Sequence, residues 1–324
     1  MQVTPHVRAV QVPEDEPMRP GSTNIYLVGS GQTLTIDSGE AIDKFRWMLR
    51  GYLAAVERSE IGVAAVTHHH YDHSGNLKDL RAALGAEVAV PDNGVGLLRG
   101  RLPADGVQTL HDGAVIDLDD VRVQVLATPG HSVDSLCYYI EEDGVLFTGD
   151  TLLGVGTTTV GNLGDYRRSL QRLVELPNLR VICPGHGPLV HDARERLQTY
   201  IDHRNMREEQ ILRVLRRGGP RTSWEIMLKL YPDIDKRLRA AADGNVRAHL
   251  EQLRGEGRIR VTPGRKRKPR ADVVARRKAK ERERRAVIRR AKRFEAAQRR
   301  ELWRRQEEPP TDTWTRQPTY AIDE

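Results

Sequence analysis

The stretch from Thr67 to Asn76 limits what this chain can fold into more than any other part of its sequence. An apolar run over residues 61–66 precedes it and predicts a buried strand that ends in a loop at Thr67. Leucines at helical spacing follow it and predict a helix that starts near Ser74-Gly75-Asn76. Between strand and helix stand four side chains that can bind a metal ion: His68, His70, Asp72 and His73. Because zinc takes imidazole nitrogens and carboxylate oxygens, this rigid strand end predicts a metal site rather than a His-rich surface loop.

Three further predicted strands each deliver a His or an Asp beside a glycine. These exits are Thr128-Pro129-Gly130-His131, Thr148-Gly149-Asp150 and Pro184-Gly185-His186. Glycine lets the backbone bend sharply and approach a ligand closely. Each short motif alone is ordinary turn chemistry, but the four exits in this order indicate one shared site.

Together these residues resemble the H-x-H-x-D-H signature and later ligands of the metallo-β-lactamase superfamily, over about residues 20 to 190. The resemblance implies that His68, His70 and His131 hold one metal ion. It implies that Asp72, His73 and His186 hold a second ion and that Asp150 bridges the two, with Asp72 and Asp150 as the catalytic residues. It also places Asp37 beside the metals as a group that orients a ligand, and Asn24 near the site as a substrate contact.

The expected cofactor is a pair of divalent ions, and we expect zinc. Two such ions share a water molecule and lower its pKa from about 15.7 toward neutrality, so a bridging hydroxide serves as the nucleophile. Superfamily members that destroy β-lactams typically have a Cys at a second-metal position, lack the bridging Asp and carry a signal peptide. Asp150 therefore favours the glyoxalase II-like thioesterases, phosphodiesterases and nucleases instead.

The residues after the last predicted ligand have the outline of a winged helix. A long helix over 191–217 is followed by a capping box at Thr222-Ser-Trp-Glu225, a helix from Leu238, and a glycine turn into a strand at 258–261. A plain helical appendage is the alternative. Segments 203–211 and 250–259 resemble the lactamase-β-like protein 2 family, which joins this hydrolase fold to a C-terminal winged helix. The prediction is an α/β fold, a metallo-β-lactamase αββα sandwich over 1–190, with a winged helix over 191–262.

The positive charge of the chain is concentrated in its last part. Residues 262–308 carry 20 Lys and Arg against 7 Asp and Glu, whereas the remainder carries 32 against 38. Residues 263–324 are therefore predicted to be a basic helical or disordered tail, with a disordered end from Pro309. The tail is either an arm that binds nucleic-acid phosphates or a solvated extension.

Three functions remain open at this point. The first hypothesis is a dinuclear zinc hydrolase that cleaves phosphodiester bonds in single-stranded RNA, based on the predicted winged helix and the basic tail. The alternatives are a thioester hydrolase of the glyoxalase II or polyketide type, and a nucleic-acid binding module with a vestigial metal site. An apolar pocket would favour the thioester, and a basic groove would favour RNA. Two cysteines, no signal-peptide pattern and no membrane-length apolar run predict a cytoplasmic protein.

Overall fold

The computed structural model describes residues 1–56, 60–266, 314–316 and 319–322. Its chain forms two compact units, Met1–Asn205 and Met206–Glu324. The division falls inside one long helix, whereas the sequence places the domain boundary before that helix, and the boundary stays a prediction. Most of the predicted basic tail, residues 267–313, lies outside the described residues. In the part of the chain that is described, no helix has the length and apolar character needed to cross a membrane.

The first sheet of unit one contains seven strands in sequence order. They are β1 (Gln2–Thr4), β2 (Val7–Glu16), β3 (Arg19–Val28), β4 (Gln32–Ile36), β5 (Glu60–Ala65), β6 (Glu87–Pro91) and β7 (Val107–Leu110). Strands β1 to β4 pair antiparallel, and β4 to β7 pair parallel. Strand β2 has a neighbour on each side. Strand β7 was not predicted from the sequence.

The second sheet contains five strands in the order β12-β11-β10-β9-β8. They are β8 (Val115–Asp117), β9 (Arg122–Ala127), β10 (Leu136–Ile140), β11 (Val145–Gly149) and β12 (Val181–Pro184). All neighbours pair antiparallel except β11 and β12, which are parallel. Strands β10 and β11 form an antiparallel hairpin.

Helices cover the first unit on the outside of these sheets. They are α1 (Asp43–Val56), α2 (Tyr71–Ser74), α3 (Leu77–Leu84), α4 (Leu163–Val174) and α5 (Ala193–Gly218), and α5 continues into the second unit. One apolar core lies between the two sheets, and a second lies between the first sheet and the helices α1 and α3. These layers confirm the predicted α/β fold, because each sheet must bury both of its apolar faces.

The second unit has its own apolar core and the predicted order of elements. These are the end of α5, α6 (Ser223–Leu230), α7 (Arg239–Gly255) and the strand β13 (Ile259–Thr262). The capping box is confirmed, because Thr222 Oγ1 accepts from Glu225 N while the Glu225 carboxylate accepts from Thr222 N. Helix α7 runs without interruption through Asp243-Gly-Asn245.

The prediction of a disordered end from Pro309 is wrong for seven of its residues. The short strands β14 (Arg265–Lys266) and β15 (Trp314–Arg316) pair antiparallel, and β16 (Thr319–Ile322) pairs antiparallel with β13. An edge strand with unpaired backbone groups accepts another strand readily, which local sequence composition does not show.

Candidate metal centre

The predicted ligands come together because they follow strands whose carboxyl ends share one edge. Strand β5 leads to His68, and its parallel neighbour β4 leads to Asp37. In the other sheet, the parallel strands β11 and β12 deliver Asp150 and His186, with Gly149 paired to Pro184. Asp72 and His73 lie on the short helix α2 rather than in the predicted loop. Parallel strands thus place residues from distant parts of the sequence at the same edge.

Three histidines and one carboxylate form the first group. His70 Nδ1 lies 2.8 Å from His68 Nε2 and 3.1 Å from His131 Nε2. Asp150 Oδ2 lies 3.7 Å from His131 Nε2. Nitrogens at zinc-ligand distance in a tetrahedral site stand about 3.3 Å apart, so the separations fit one small cation.

A second group lies on the other side of Asp150. Asp150 Oδ1 lies 3.4 Å from His73 Nε2 and 3.3 Å from His186 Nε2. Asp72 Oδ2 lies 3.4 Å from His186 Nε2 and 4.0 Å from His73 Nε2. Asp150 thus directs one oxygen toward each group, which is the arrangement expected of a bridging ligand.

In most of these histidines Nδ1 takes part in a hydrogen bond outside the ligand group. The lone pair of Nε2 is then left to bind a metal ion. His73 Nδ1 donates to Asp37 Oδ2 at 2.7 Å, and His131 Nδ1 donates to Thr159 O at 2.9 Å. His68 Nδ1 lies 3.0 Å from Thr67 Oγ1, whose own hydroxyl donates to Asp37. Such partners fix the tautomer and orientation of metal-binding imidazoles. The structure places Asp37 beside the candidate ligands, and its role as an orienting group stays a prediction.

Two buried atoms indicate that the residues fit a cation. His73 Nε2 and Asp150 Oδ1 are buried and have no hydrogen-bond partner among the described residues, although they face each other across 3.4 Å. Buried polar atoms are nearly always paired, because an unpaired one costs about 1–3 kcal/mol. A positive ion between the groups would satisfy both atoms. The chemistry of the donors, imidazole and carboxylate, suits zinc and its neighbours.

The protonation of the groups differs across the centre. Burial, with the nearby His73 and His70, holds the pKa of His68 well below its usual range. Burial and His131 likewise lower the pKa of His70 to about 4. Burial also acts to lower the pKa of His73, but the carboxylates of Asp37, Asp150 and Asp72 outweigh it and raise that pKa well above the ordinary value.

The two carboxylates of the centre stay ionised. Burial acts to raise the pKa of Asp150, yet His186 and His73 hold it well below its usual range. For Asp72, burial is again outweighed, here by the charge of His73, a hydrogen bond from His186 and the charge of Arg19, so its pKa is strongly lowered. Both side chains are therefore anionic at neutral pH and suited to hold cations.

Asn24, predicted as a substrate contact, has a different placement. Its side chain is fully buried, and its Nδ2 donates to the carbonyls of Pro184 and Gly187 at 2.9 and 2.8 Å. These carbonyls flank His186, so Asn24 supports the loop that carries this ligand. The Asn24 side chain is buried away from solvent, and the substrate contact stays a prediction.

Several residues that support the site had no signal in the sequence. Arg19 Nε lies 2.9 Å from Asp72 Oδ2, and Arg19 Nη2 donates to Glu40 at 2.6 Å. The buried Asp134 accepts from His69 N and from His69 Nδ1, both at 2.8 Å, which turns His69 away from the ligands as its position between them suggests. These partners are far apart in the chain and follow no periodic pattern.

Comparison with known proteins agrees with this architecture. Residues 18–186 match the family model described as the metallo-beta-lactamase superfamily, and residues 222–267 match the beta-lactamase associated winged helix domain. A beta-lactamase-like protein 2 homolog from Caenorhabditis elegans is 33% identical over 72% of this chain and 79% of its own length. An atrochrysone carboxyl ACP thioesterase from Aspergillus fumigatus is 35% identical over 60% of this chain and 59% of its own length.

A solved structure shares the fold across most of the chain. The crystal structure of a metallo-beta-lactamase family protein from Thermus thermophilus covers 80% of this chain and 97% of its own, with a TM-score of 0.68 and 29% identity. With the family model over the first unit and the relative at 33% identity, this chain belongs to the metallo-β-lactamase superfamily of hydrolases and carries a C-terminal winged-helix domain.

Proposed function

We propose that this protein is a dinuclear metal-dependent hydrolase of acyl thioesters. His68, His70 and His131 would hold one divalent ion, Asp72, His73 and His186 a second, and Asp150 would bridge them. Ions held there would supply Lewis acidity and lower the pKa of water. The observation that carries the choice of substrate is a set of exposed apolar side chains around the ligands.

The chain's own residues set up this chemistry in three ways. Asp37 and Thr159 fix the tautomers of His73 and His131 by accepting from their Nδ1 atoms. Asp150 stays ionised and directs an oxygen toward each group. Arg101 holds the ligand-bearing segment, because its Nη1 donates to Ser74 Oγ at 2.7 Å and to His69 O.

Four exposed apolar side chains stand on the loops that follow β6, β9 and β11, and we call this set the apolar rim. Its members are Val95, Leu97, Val133 and Val155, with exposures from 37% to 65%. Val133 follows His131 by two residues, and Asn93 Nδ2 donates to Val133 O at 2.9 Å, which joins the segment containing Val95 to the same place. Gly154, next to Val155, donates its N–H to His186 O at 2.9 Å. Apolar side chains beside a polar centre suit the acyl chain of a substrate.

The charge of unit one also favours a substrate that is not a polyanion. Residues 1–205 carry 18 Lys and Arg against 27 Asp and Glu. Arg19, which reaches Asp72, is itself surrounded by carboxylates from Glu14, Glu40 and Asp72. An RNA backbone gains its affinity from phosphate contacts with basic side chains, and Arg19 is already neutralised.

The protonation of the carboxylates fits a thiol leaving group. Asp72 and Asp150 have strongly lowered pKa values, so neither is a proton donor at neutral pH. A thiol has a pKa of about 8.5 and departs as a thiolate without a general acid. An alcohol leaving group, as in RNA cleavage, depends more strongly on a proton donor.

The test compares two substrates on one preparation. The zinc-loaded protein is assayed on a series of acyl thioesters of N-acetylcysteamine and on a short single-stranded RNA, with Asp150→Ala as the control for the metal centre. The proposal expects thioester cleavage that is lost in the control. RNA cleavage without thioester cleavage would refute it.

Cleavage of single-stranded RNA is the second candidate, and the charge outside unit one favours it. Residues 206–324 carry 34 Lys and Arg against 18 Asp and Glu, and they include the winged-helix domain. Basic segments of this kind bind phosphates by releasing counterions. This candidate expects an RNA affinity that falls steeply with salt and RNA cleavage that is lost in Asp150→Ala.

A further inference from the structure

An arginine outside the metal centre is buried without a carboxylate partner. Arg204 on α5 is 1% exposed and is the largest fully buried side chain among the described residues. In that part of the chain no Asp or Glu forms an ion pair with it, and its Nε has no hydrogen-bond partner. Burying a charge without a counter-charge costs stability, so a selected function has to outweigh this cost.

The guanidinium contacts one backbone carbonyl and one aromatic ring. Arg204 Nη2 donates to Thr158 O at 2.8 Å, and its Cζ lies 5.2 Å from the centre of the Tyr166 ring. The Tyr166 hydroxyl in turn donates to Thr151 O at 2.7 Å. Arg204 therefore joins the segment at Thr158 to the start of α4.

Both of these partners contact the loop that carries a ligand. His131 Nδ1 lies 2.9 Å from Thr159 O and 3.0 Å from Thr158 Oγ1. Tyr166 packs against Gly130, where a Cβ would come within 2.4 Å of Tyr166 Cα. The N–H of Gly161 donates to Gly130 O at 2.7 Å. The His131 loop is thus held between residues 158–161 and Tyr166.

We infer that Arg204 is a positioning residue for His131, acting through Thr158 and Tyr166. It holds the carbonyl of Thr158, and so the adjoining carbonyl of Thr159, where His131 Nδ1 can donate to it. That hydrogen bond keeps the proton on Nδ1 and turns Nε2 toward the first group of ligands. The inference rests on the metal centre proposed above and on no particular substrate.

The experiment separates positioning from general stability. Arg204→Met keeps the length of the side chain and removes its charge, so no unpaired cation is left buried. Zinc affinity is measured by competition with a chromophoric chelator, and the Co²⁺ absorption spectrum reports the ligand geometry. We expect the affinity of the first ion to fall about 10- to 100-fold, with the second unchanged and the spectrum altered.

The matched control is another buried arginine that donates to backbone carbonyls. Arg8, 5% exposed, donates from Nη1 to Gly29 O at 2.6 Å and to His6 O at 3.1 Å. Gly29 lies near the start of β4, at the edge of the sheet opposite the metal centre. Arg8→Met is expected to leave both zinc affinities and the Co²⁺ spectrum unchanged.

The outcomes are distinct. A folded Arg204→Met protein whose first zinc affinity is within twofold of the wild type overturns the inference. If that variant does not fold, Arg204→Lys is decisive, since it keeps the charge but not the planar contact with Tyr166. A severalfold loss of zinc affinity at the first site alone supports the inference. If the affinity of the first site is not selectively reduced, the inference is overturned. A wild-type protein that bound no metal would instead remove the proposed centre itself.

Discussion

Replacing Asp37 by Asn changes one atom and should disable one ligand group selectively. Asp37 is 2% exposed, with a φ of 66°, a left-handed conformation that Asn accepts more readily than most residues. The Asn Oδ1 can still accept from Thr67 N, now 2.7 Å from the carboxylate. The new amide N–H group would face His73 Nδ1, where the carboxylate now accepts at 2.7 Å. Two donors cannot pair, so His73 must move its proton to Nε2 and lose its lone pair toward the metal.

The size of the effect follows from the bond that is lost. A hydrogen bond to a charged group contributes about 1.5–3 kcal/mol, which corresponds to about 10- to 100-fold in affinity for the second ion. The assay is zinc titration against a chromophoric chelator, in which the two ions give separate phases.

The matched variant is Thr67→Val, which removes the hydroxyl beside His68 Nδ1 and should weaken the first ion instead. If Asp37→Asn weakened both ions equally, or neither, the tautomer argument would be wrong.

Further predictions concern the bridge, the rim and the protons. Asp150→Ala should abolish turnover while the far-ultraviolet circular dichroism spectrum stays unchanged; surviving turnover would contradict the bridging role. Val133→Ser with Val155→Ser should lower kcat/KM about fivefold or more for long acyl thioesters and little for acetyl thioesters, because apolar contact contributes about 25 cal/mol per Å²; equal losses would argue against the apolar rim. Because the pKa of His73 is raised, uptake of the second ion should release a proton and tighten with rising pH, whereas the first group is already neutral. Calorimetry in buffers of different ionisation heat measures this, and equal proton release at both ions would refute it.

The strand ends that lead into the ligand-bearing loops were the most predictable part of this protein. The apolar run over residues 61–66 and its break at Thr67 define both β5 and the ligand stretch, because burial and loop chemistry are local properties of the sequence. The capping box at Thr222 is equally local, since both of its hydrogen bonds join residues three apart. The ligands at positions 131, 150 and 186 became predictable through the family resemblance.

Other elements were missed for two reasons. Helix α4 was given no prediction, although it carries a local signal, with Asn162 as its N-cap and buried side chains at helical spacing, including Leu163, Tyr166 and Leu170. Strand β7 is largely exposed and only four residues long, so it has almost no apolar pattern. For strands β15 and β16 the partner strands decide the conformation, and composition alone predicts disorder.

Residues that act through others could not be predicted from the sequence. Arg204 donates to Thr158, which lies 46 positions earlier in the sequence. Arg19, at the start of β3, forms an ion pair with Asp72 on α2. Neither contact produces a periodicity or a motif. Their roles follow only from three-dimensional distances, which also show that Asn24 supports the His186 loop.

Thioester hydrolysis as a function of bound zinc is the decisive measurement for the proposed centre. Metal-free protein receives zinc in steps, the ions bound per chain are counted, and the rate on a long-chain acyl thioester is measured at each step. A two-ion centre predicts a rate that rises to its plateau at two ions per chain and stays at background in Asp150→Ala. Hydrolysis that persists in the metal-free protein, or a wild-type chain that retains no ion, would contradict it.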